Sequence, residues 1–430
     1  MKFARIDLSW LVFFVSALIF VSLGSRNAIH HAIDFVPAYT GARCLLHGCN
    51  PYDTSQLEQQ YYQAGGHADE LPGWDHEVPV YPPSTFLVLS PLALLRFPVA
   101  RVLWFLLNSC LFVTAAGLIL SMCPRSQRWL ATAFVSLFVV SSGILLELGQ
   151  PSIFAISLLI IGSYLFLRDR LLPLGALLLL LSVAVKPQMG GLIVFYLFAR
   201  GIHRRYAAVV LTGALALLLS AGMILRMNPS SANWTSDLSA NISASVDGGY
   251  NDPRPANQQA VCDINLQAIT GIFFADVREF NAAAWAVFLA LLAVGIAIVL
   301  RTKAGPEMNL LSLGALAALS LTPVYHRFYD TRMLLISIPA VVIVYQKRRL
   351  LGAFIGALTV LAVISVQSRV QFILLQHAMW QSIVQNKFLF ILLLREQNLE
   401  LPILFCLYIA AICRIRFPGV PAKVTASAAC

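Results

Sequence analysis

Apolar runs long enough to cross a bilayer recur from one end of this chain to the other, and they constrain it more than any motif. A helix rising about 1.5 Å per residue needs about 20 apolar residues to cross about 30 Å of hydrocarbon. Of the 430 residues, 59% are hydrophobic and 12% are charged, where a soluble domain carries about 25% charged residues. The sequence therefore predicts an all-α protein: a polytopic transmembrane helix bundle that forms a single integral membrane domain over residues 1–430. Little is left over for a separate soluble domain. The net charge of +10 is accounted for by short basic loops that set orientation, not by a nucleic-acid partner. The first span, residues 8–23, comes after Lys2 and Arg5 and lacks a small-residue cleavage site. It reads as a retained helix rather than a removed signal peptide.

Spans are placed at about 8–23, 99–121, 129–147, 151–167, 171–185, 188–199, 206–225, 282–300, 309–323, 331–346, 350–367 and 398–414, about twelve in all. Residues 84–95 are apolar but cover only about 18 Å, and Arg96, Pro98 and Arg101 then interrupt the apolar run. They read as a juxtamembrane helix that lies in or dips into the membrane surface. Charge tests that reading. If residues 84–95 do not cross, every short basic loop falls on one face. These loops carry Lys2 and Arg5, Arg125 and Arg128, Arg168 and Arg170, Arg200, Arg204 and Arg205, Arg301 and Lys303, residues 347–349, and Arg414, Arg416 and Lys423. If the piece crossed, they would divide between two faces. The positive-inside rule makes the basic face cytoplasmic, with both termini there. The opposite face receives the long polar loops at about 24–83, 226–281 and 368–397, the last with a short helix expected at 388–394.

Ionisable groups at membrane depth are costly and default to functional hypotheses. On the face opposite the basic loops they converge from four places: Asp34, Glu147 with Gln150, Lys186 with Gln188, and His326 with Arg327. Asp34 opens the stretch IDFVPAYTGARCLLHGCNPYD, residues 33–53, among apolar and aromatic neighbours, with Arg43 further on. Such a carboxylate can anchor a loop or accept a proton from a substrate hydroxyl, and the second use is the one expected here. No glycine-rich phosphate loop, GxSxG elbow or HExxH pair is present. His30, His31 and Asp34 are near one another, but no other spacing supports a metal site. Plainer uses stand beside each expectation. Asp34 is placed to cap the next helix. Lys186 can snorkel to the interface, and Gln150 before Pro151 can cap a turn. His326 and Arg327 can pair with Asp330 as a solvated corner. Cys44 and Cys49 share the first polar loop, where an oxidising compartment would allow a disulfide. Separation in sequence does not show that the two thiols meet. The glycosylation patterns at Asn233 and Asn241 are taken as chance.

A pattern then emerges from Asp34-Phe35 with Tyr39, Gly48-Cys49-Asn50-Pro51-Tyr52, Tyr81-Pro82-Pro83, Ser90-Pro91-Leu92-Ala93, Gly149-Gln150, Lys186-Pro187-Gln188, and Thr322-Pro323 with His326. In this order, over residues 8–350, it resembles the GT-C superfamily of membrane glycosyltransferases, and within it glycosyltransferase family 87. The chain departs from the family pattern at Val324-Tyr325-His326-Arg327. The resemblance implies transfer of a hexose, mannose above all, from a polyprenyl-phosphate sugar to a hydroxyl of a lipid or glycan acceptor. It implies inversion at the anomeric carbon, on the outer face of the cytoplasmic (inner) membrane, without a nucleotide sugar or a cofactor. Local chemistry agrees with it. An acceptor hydroxyl needs a base within hydrogen-bond reach, and Asp34 is the candidate, with Glu147 and Asp53 next in line. A departing lipid phosphate needs cations, and Lys186 and Arg327 are the candidates, with Arg43 behind them. His326 is expected to assist Asp34 or orient the sugar. Gln150, Gln188, Tyr39 and Tyr81 are expected to touch sugar or acceptor.

The competing function is a secondary transporter or lipid flippase. That class shows internal repeats and polar groups near the bilayer midplane. Here no repeat is visible, and the polar residues gather at one face. A non-catalytic scaffold would not need Asp34, Lys186 and His326 to meet in space.

Overall fold

The structure is a computed structural model that describes residues 8–28, 30, 32–68, 79–364, 366–376 and 379–415. Lys2, Arg5, His31, Arg416 and Lys423, which entered the orientation and metal readings, lie outside the described residues. No strand forms among the described residues, and an isolated antiparallel bridge joins Asp263 to Arg327.

The first part of the chain folds as α1 (Leu8–Ala28), α2 (Phe35–His47), α3 (Thr54–Gln63), α4 (Pro83–Ala93) and α5 (Phe97–Met122). Then come α6 (Arg128–Ser141), α7 (Gly143–Leu148), α8 (Pro151–Leu167), α9 (Leu172–Val185), α10 (Pro187–Ala199) and α11 (Arg204–Met227). A long connection holds α12 (Trp234–Val246) and the single turn α13 (Gln267–Thr270). Next are α14 (Val277–Arg301), α15 (Pro306–Ser320), a 3-10 helix over Phe328–Ser337, α16 (Ile338–Lys347) and α17 (Arg349–Ile364). The chain ends with α18 (Val366–Gln376), α19 (Trp380–Gln385), α20 (Lys387–Leu394) and α21 (Glu396–Arg414). The short helix expected at 388–394 is α20.

Among the described residues, seven stretches are long and apolar enough to cross a membrane. They are α1, α5, α6 with α7, α11, α14, the 3-10 helix with α16, and α21. The apolar helices α4, α8, α9, α10 and α17 are shorter. Length and composition therefore support seven of the about twelve spans expected. The expected span at 309–323 is the 15-residue α15.

Burial sorts these helices into centre and rim. Nearly every residue of α8 is buried, and α5, α9, α10 and the 3-10 helix pack around it. The apolar 18-residue core of Phe328–Lys347 is 89% buried, whereas those of α11 and α14 are each 22% buried. Leu215, Leu219 and Met223 on α11 and Leu289 and Val294 on α14 remain exposed, as expected of helices turned to an apolar surrounding.

Local sequence explains where the helices begin. Proline stands in the first turn of α4, α5, α8, α9, α10, α15 and α16, where its missing N–H costs nothing. Asp53 caps α3 by accepting from the N–H groups of Ser55 and Gln56 at 3.0 and 3.2 Å. Hydrogen bonds from Ser55 and Gln56 hold its carboxyl below the usual carboxylate range, against the opposing effect of burial. Cys44 and Cys49 are joined by a disulfide, with Cα atoms 4.5 Å apart.

The corner between α7 and α8 positions the site. Gly149 adopts a left-handed φ of +68°, open to glycine at little cost. A Cβ there would stand 2.9 Å from the Phe35 Cβ and 3.0 Å from the Ala32 Cβ. The corner therefore packs directly on the turn that carries Asp34. The Asp34 N–H donates to the Leu148 carbonyl at 2.9 Å. Phe35 is fully buried and stacks on Trp104 with centroids 4.9 Å apart, and the Trp104 Nε1–H donates to the Gly149 carbonyl at 2.8 Å.

Candidate functional site

Several helix starts converge on one cavity of about 210 Å³. Asp34, Pro82, Gln150, Lys186 and Arg327 are the N-cap residues of α2, α4, α8, α10 and the 3-10 helix, and all five line it. Helix N-termini carry partial positive charge and favour anions. The far wall comes from the end of α12 and its loop, through Ser245, Gly249, Tyr250 and Asn251.

Asp34 occupies the N-cap of α2, but its side chain makes no capping hydrogen bond. Its carboxylate instead accepts from the Gln150 Nε2 at 2.8 Å. The same Nε2 donates to the Tyr329 hydroxyl at 2.7 Å. Gln150 thus ties the start of the chain to the 3-10 helix rather than capping a turn.

Lys186 does not snorkel outward. Its side chain is 12% exposed, and its Nζ lies 3.6 Å from the Asp330 Oδ1 and donates to the Ser152 Oγ at 2.6 Å. Asp330 also lines the cavity. Its other oxygen, Oδ2, meets the His326 Nδ1 at 3.0 Å. The residues expected as a solvated corner are therefore a buried unit, with His326 fully buried and Asp330 2% exposed.

Arg327 is enclosed by aromatic and amide groups. Its Nη1 donates to the Tyr250 hydroxyl at 2.9 Å and its Nη2 to the Asn251 Oδ1 at 3.3 Å. It also donates to the Tyr325 hydroxyl, and its guanidinium sits 4.1 Å from the Tyr250 ring centroid. Burial opposes its charge, but Tyr325, Tyr329, Tyr250 and Asp263 together hold its pKa above the ordinary arginine value. Asp263 lies behind it with both carboxylate oxygens buried and without a hydrogen-bond partner. Burial pushes its carboxyl up to about 7, against the pull of Arg327 and Arg395.

The expected site residues divide by placement. Asp34, Gln150, Lys186, Gln188, Tyr81 and Arg327 line the cavity. Tyr39, Arg43 and His326 do not. The Tyr39 hydroxyl donates to the Leu95 carbonyl at 2.5 Å, and the Arg43 Nη1 donates to the Ala93 carbonyl at 3.0 Å. Both brace the end of α4 instead of facing the cavity. His326 stands one shell back, behind Asp330. Tyr325, Tyr329, Asp330, Tyr250 and Asn251, none of them expected as a site residue, also line the cavity. Asp330 carries a signal, four residues after His326, but in the sequence alone it reads as part of a surface corner. Asn241 donates its amide to the carbonyls of Tyr52 and Pro79 at 3.0 and 3.1 Å, so that side chain is committed to packing. Among the described residues, no group of three or more His, Cys, Asp or Glu side chains is disposed to hold a metal ion.

The arrangement can bind an anion and take up a proton in one space. Lys186 and Arg327 supply charge, the helix starts supply partial charge, and Asp34 supplies an acceptor oxygen. No curated protein and no solved structure matches the chain. The sequence profile described as glycosyltransferase family 87 matches residues 80–323. That stretch includes Tyr81, Gln150, Lys186, Gln188 and Tyr250, and leaves Asp34 and residues 325–330 outside it. Because the match covers more than half of the sequence, this chain belongs to glycosyltransferase family 87.

Proposed function

We propose that this glycosyltransferase moves a hexose, mannose above all, from a polyprenyl-phosphate donor to an acceptor hydroxyl, with inversion, on the outer face of the cytoplasmic membrane. The observation that carries the reading is that Asp34, Lys186 and Arg327 line one cavity ringed by helix starts. In this reading Asp34 takes the proton of the acceptor hydroxyl as the new bond to the anomeric carbon forms. The bond from that carbon to the phosphate oxygen breaks at the same time, and the polyprenyl phosphate leaves with the electron pair. Lys186, Arg327 and the dipoles of α10 and the 3-10 helix stabilise its charge. Attack from the side opposite the leaving phosphate inverts the sugar. Gln150 orients the Asp34 carboxylate, and Tyr81 and Gln188 face the sugar or the acceptor. Asp330 and His326 act behind Lys186 and fix its direction.

A lipid donor suits a site in a membrane protein, since its tail can remain among lipids while the sugar enters the cavity. The test is transfer by native membranes that carry the protein, against membranes that lack it, from radiolabelled polyprenyl-phosphate mannose to the lipid and glycan acceptors those membranes contain. Label in a product that appears only with the lipid donor supports the reading. Transfer from a nucleotide sugar, with none from the lipid donor, overturns it.

A further inference from the structure

The face of α10 that begins at the catalytic cavity with Gln188 continues as Leu192, Phe195 and Ala199, at helical spacing. These three residues line a second cavity of about 220 Å³, closed by α14, α15 and α21 through Gly295, Ile296, Ala315, Leu316, Phe405 and Ile409. Its lining is almost wholly apolar. Phe195, Ile296 and Leu300 on its wall are 50%, 39% and 54% exposed, so it opens sideways to whatever surrounds the helices. One strong charge belongs to it, Arg200, at the end of α10.

Arg200 is partly buried. Its Nη1 donates to the carbonyls of Val299 and Thr302 at 3.0 and 3.1 Å, while Nε and Nη2 are buried without a geometric hydrogen-bond partner, with the Tyr196 hydroxyl close enough to interact with the guanidinium. Those carbonyls place it beside the end of α14, next to Arg301 and Lys303, both exposed. Arg204, also exposed, comes four residues on, with its guanidinium 4.7 Å from the Phe198 ring centroid. Of the neighbouring acids, Glu307 pairs with Lys347, and the exposed Asp169 lies 3.5 Å from the His203 ring. An apolar slot ending in a cluster of arginine and lysine fits an amphiphile with an anionic head.

We infer that this cleft binds an anionic phospholipid of the surrounding bilayer, with one acyl chain along α10 and its phosphate at Arg200. The donor of the proposed reaction is a less suitable occupant. Arg200 lies about 20 Å along α10 from Lys186, so a phosphate held at Lys186 leaves Arg200 unused. The inference is independent of the donor and of the transfer reaction.

The experiment reconstitutes the full chain in vesicles of phosphatidylcholine containing phosphatidylglycerol, extracts it in mild detergent and counts retained lipids by native mass spectrometry. The wild type is expected to keep one phosphatidylglycerol in preference to phosphatidylcholine. Arg200→Gln is expected to reduce that occupancy at least tenfold. Ala199→Trp fills the mouth from an exposed position and is expected to do the same, which covers the case in which Arg200→Gln fails to fold. Equal retention of phosphatidylcholine by the wild type overturns the inference, because the head-group charge then plays no part. Unchanged occupancy in both variants overturns it too. Displacement of the bound lipid by polyprenyl phosphate at equal concentration overturns it by giving the cleft to the donor.

Discussion

The cavity at the start of α10 and the cavity along its later turns are nearly equal in volume, about 210 and 220 Å³, yet they are built by opposite rules. The first is walled by helix starts, two carboxylates and two cations, each held by named partners. The second is walled by aliphatic and aromatic side chains on four helix shafts. The difference stems from where helices end. Unsatisfied N–H groups and polar caps gather at helix starts, whereas the shafts have satisfied their own backbone and present only side chains. A single 13-residue helix, α10, therefore serves a polar site at one end and an apolar slot along its length.

The strongest way to break this contrast is to remove the acid from the polar end. Asp34→Ala is expected to reduce transfer about 10³-fold, within the usual range for a general base, while expression and membrane insertion stay intact. Normal transfer by this variant, measured with a radiolabelled lipid donor, would move the base elsewhere. Asp53 would be a poor replacement, since its carboxylate caps α3 and is absent from the cavity wall.

Next in size is the pair Lys186 and Asp330. Lys186→Met and Asp330→Asn are each expected to weaken donor use by roughly 10²-fold, because each strands a charge away from bulk water. The double variant should lose little more than Lys186→Met alone. Independent, multiplying losses in donor KM would show that the two side chains do not act as a unit.

A third measurement tracks stability with pH. The folded chain keeps a proton on Asp263 up to about pH 7, whereas an unfolded aspartate loses it near pH 4. Stability on this account is highest below about pH 4 and falls as pH rises through about 7, by at most about 1.4 kcal/mol per pH unit. Asp263→Asn cannot ionise and is expected to flatten that slope in thermal unfolding between pH 5 and 8. An unchanged slope would place the dependence on other groups.

The smallest effect is expected from the apolar end. Arg200→Gln should leave transfer within about threefold of wild type in vesicles. A loss approaching that of the Lys186 variant would mean that the two cavities form one working site.

The helical class, the short α4 and six of the cavity-lining residues were legible in the sequence because each leaves a local mark. Apolar runs announce helices, and a polar residue at the edge of such a run is conspicuous. Tyr39 and Arg43 bore the same marks, yet they point the other way, because the face of α2 they occupy is fixed by contact with α4 some fifty residues later. Gly41 shows how close that contact is: a Cβ there would stand 2.3 Å from the Phe86 ring. Tyr329 and Asp330 were harder to see. They lie in a ten-residue 3-10 helix, longer than such runs usually are, and residues at i and i+3 align there instead of keeping to an α-helical face. The apolar cavity had no signature, since a gap between helix shafts is defined by atoms that four distant segments fail to bring together.

The amide of Gln150 has a consequence for how the protein is made. It holds a residue near the beginning of the polypeptide to one almost three hundred positions later. On the proposed function, the cavity stays incomplete during synthesis until Tyr329 and Asp330, which line it, have been added. A copy truncated before those residues is expected, on that reading, to be unable to transfer sugar.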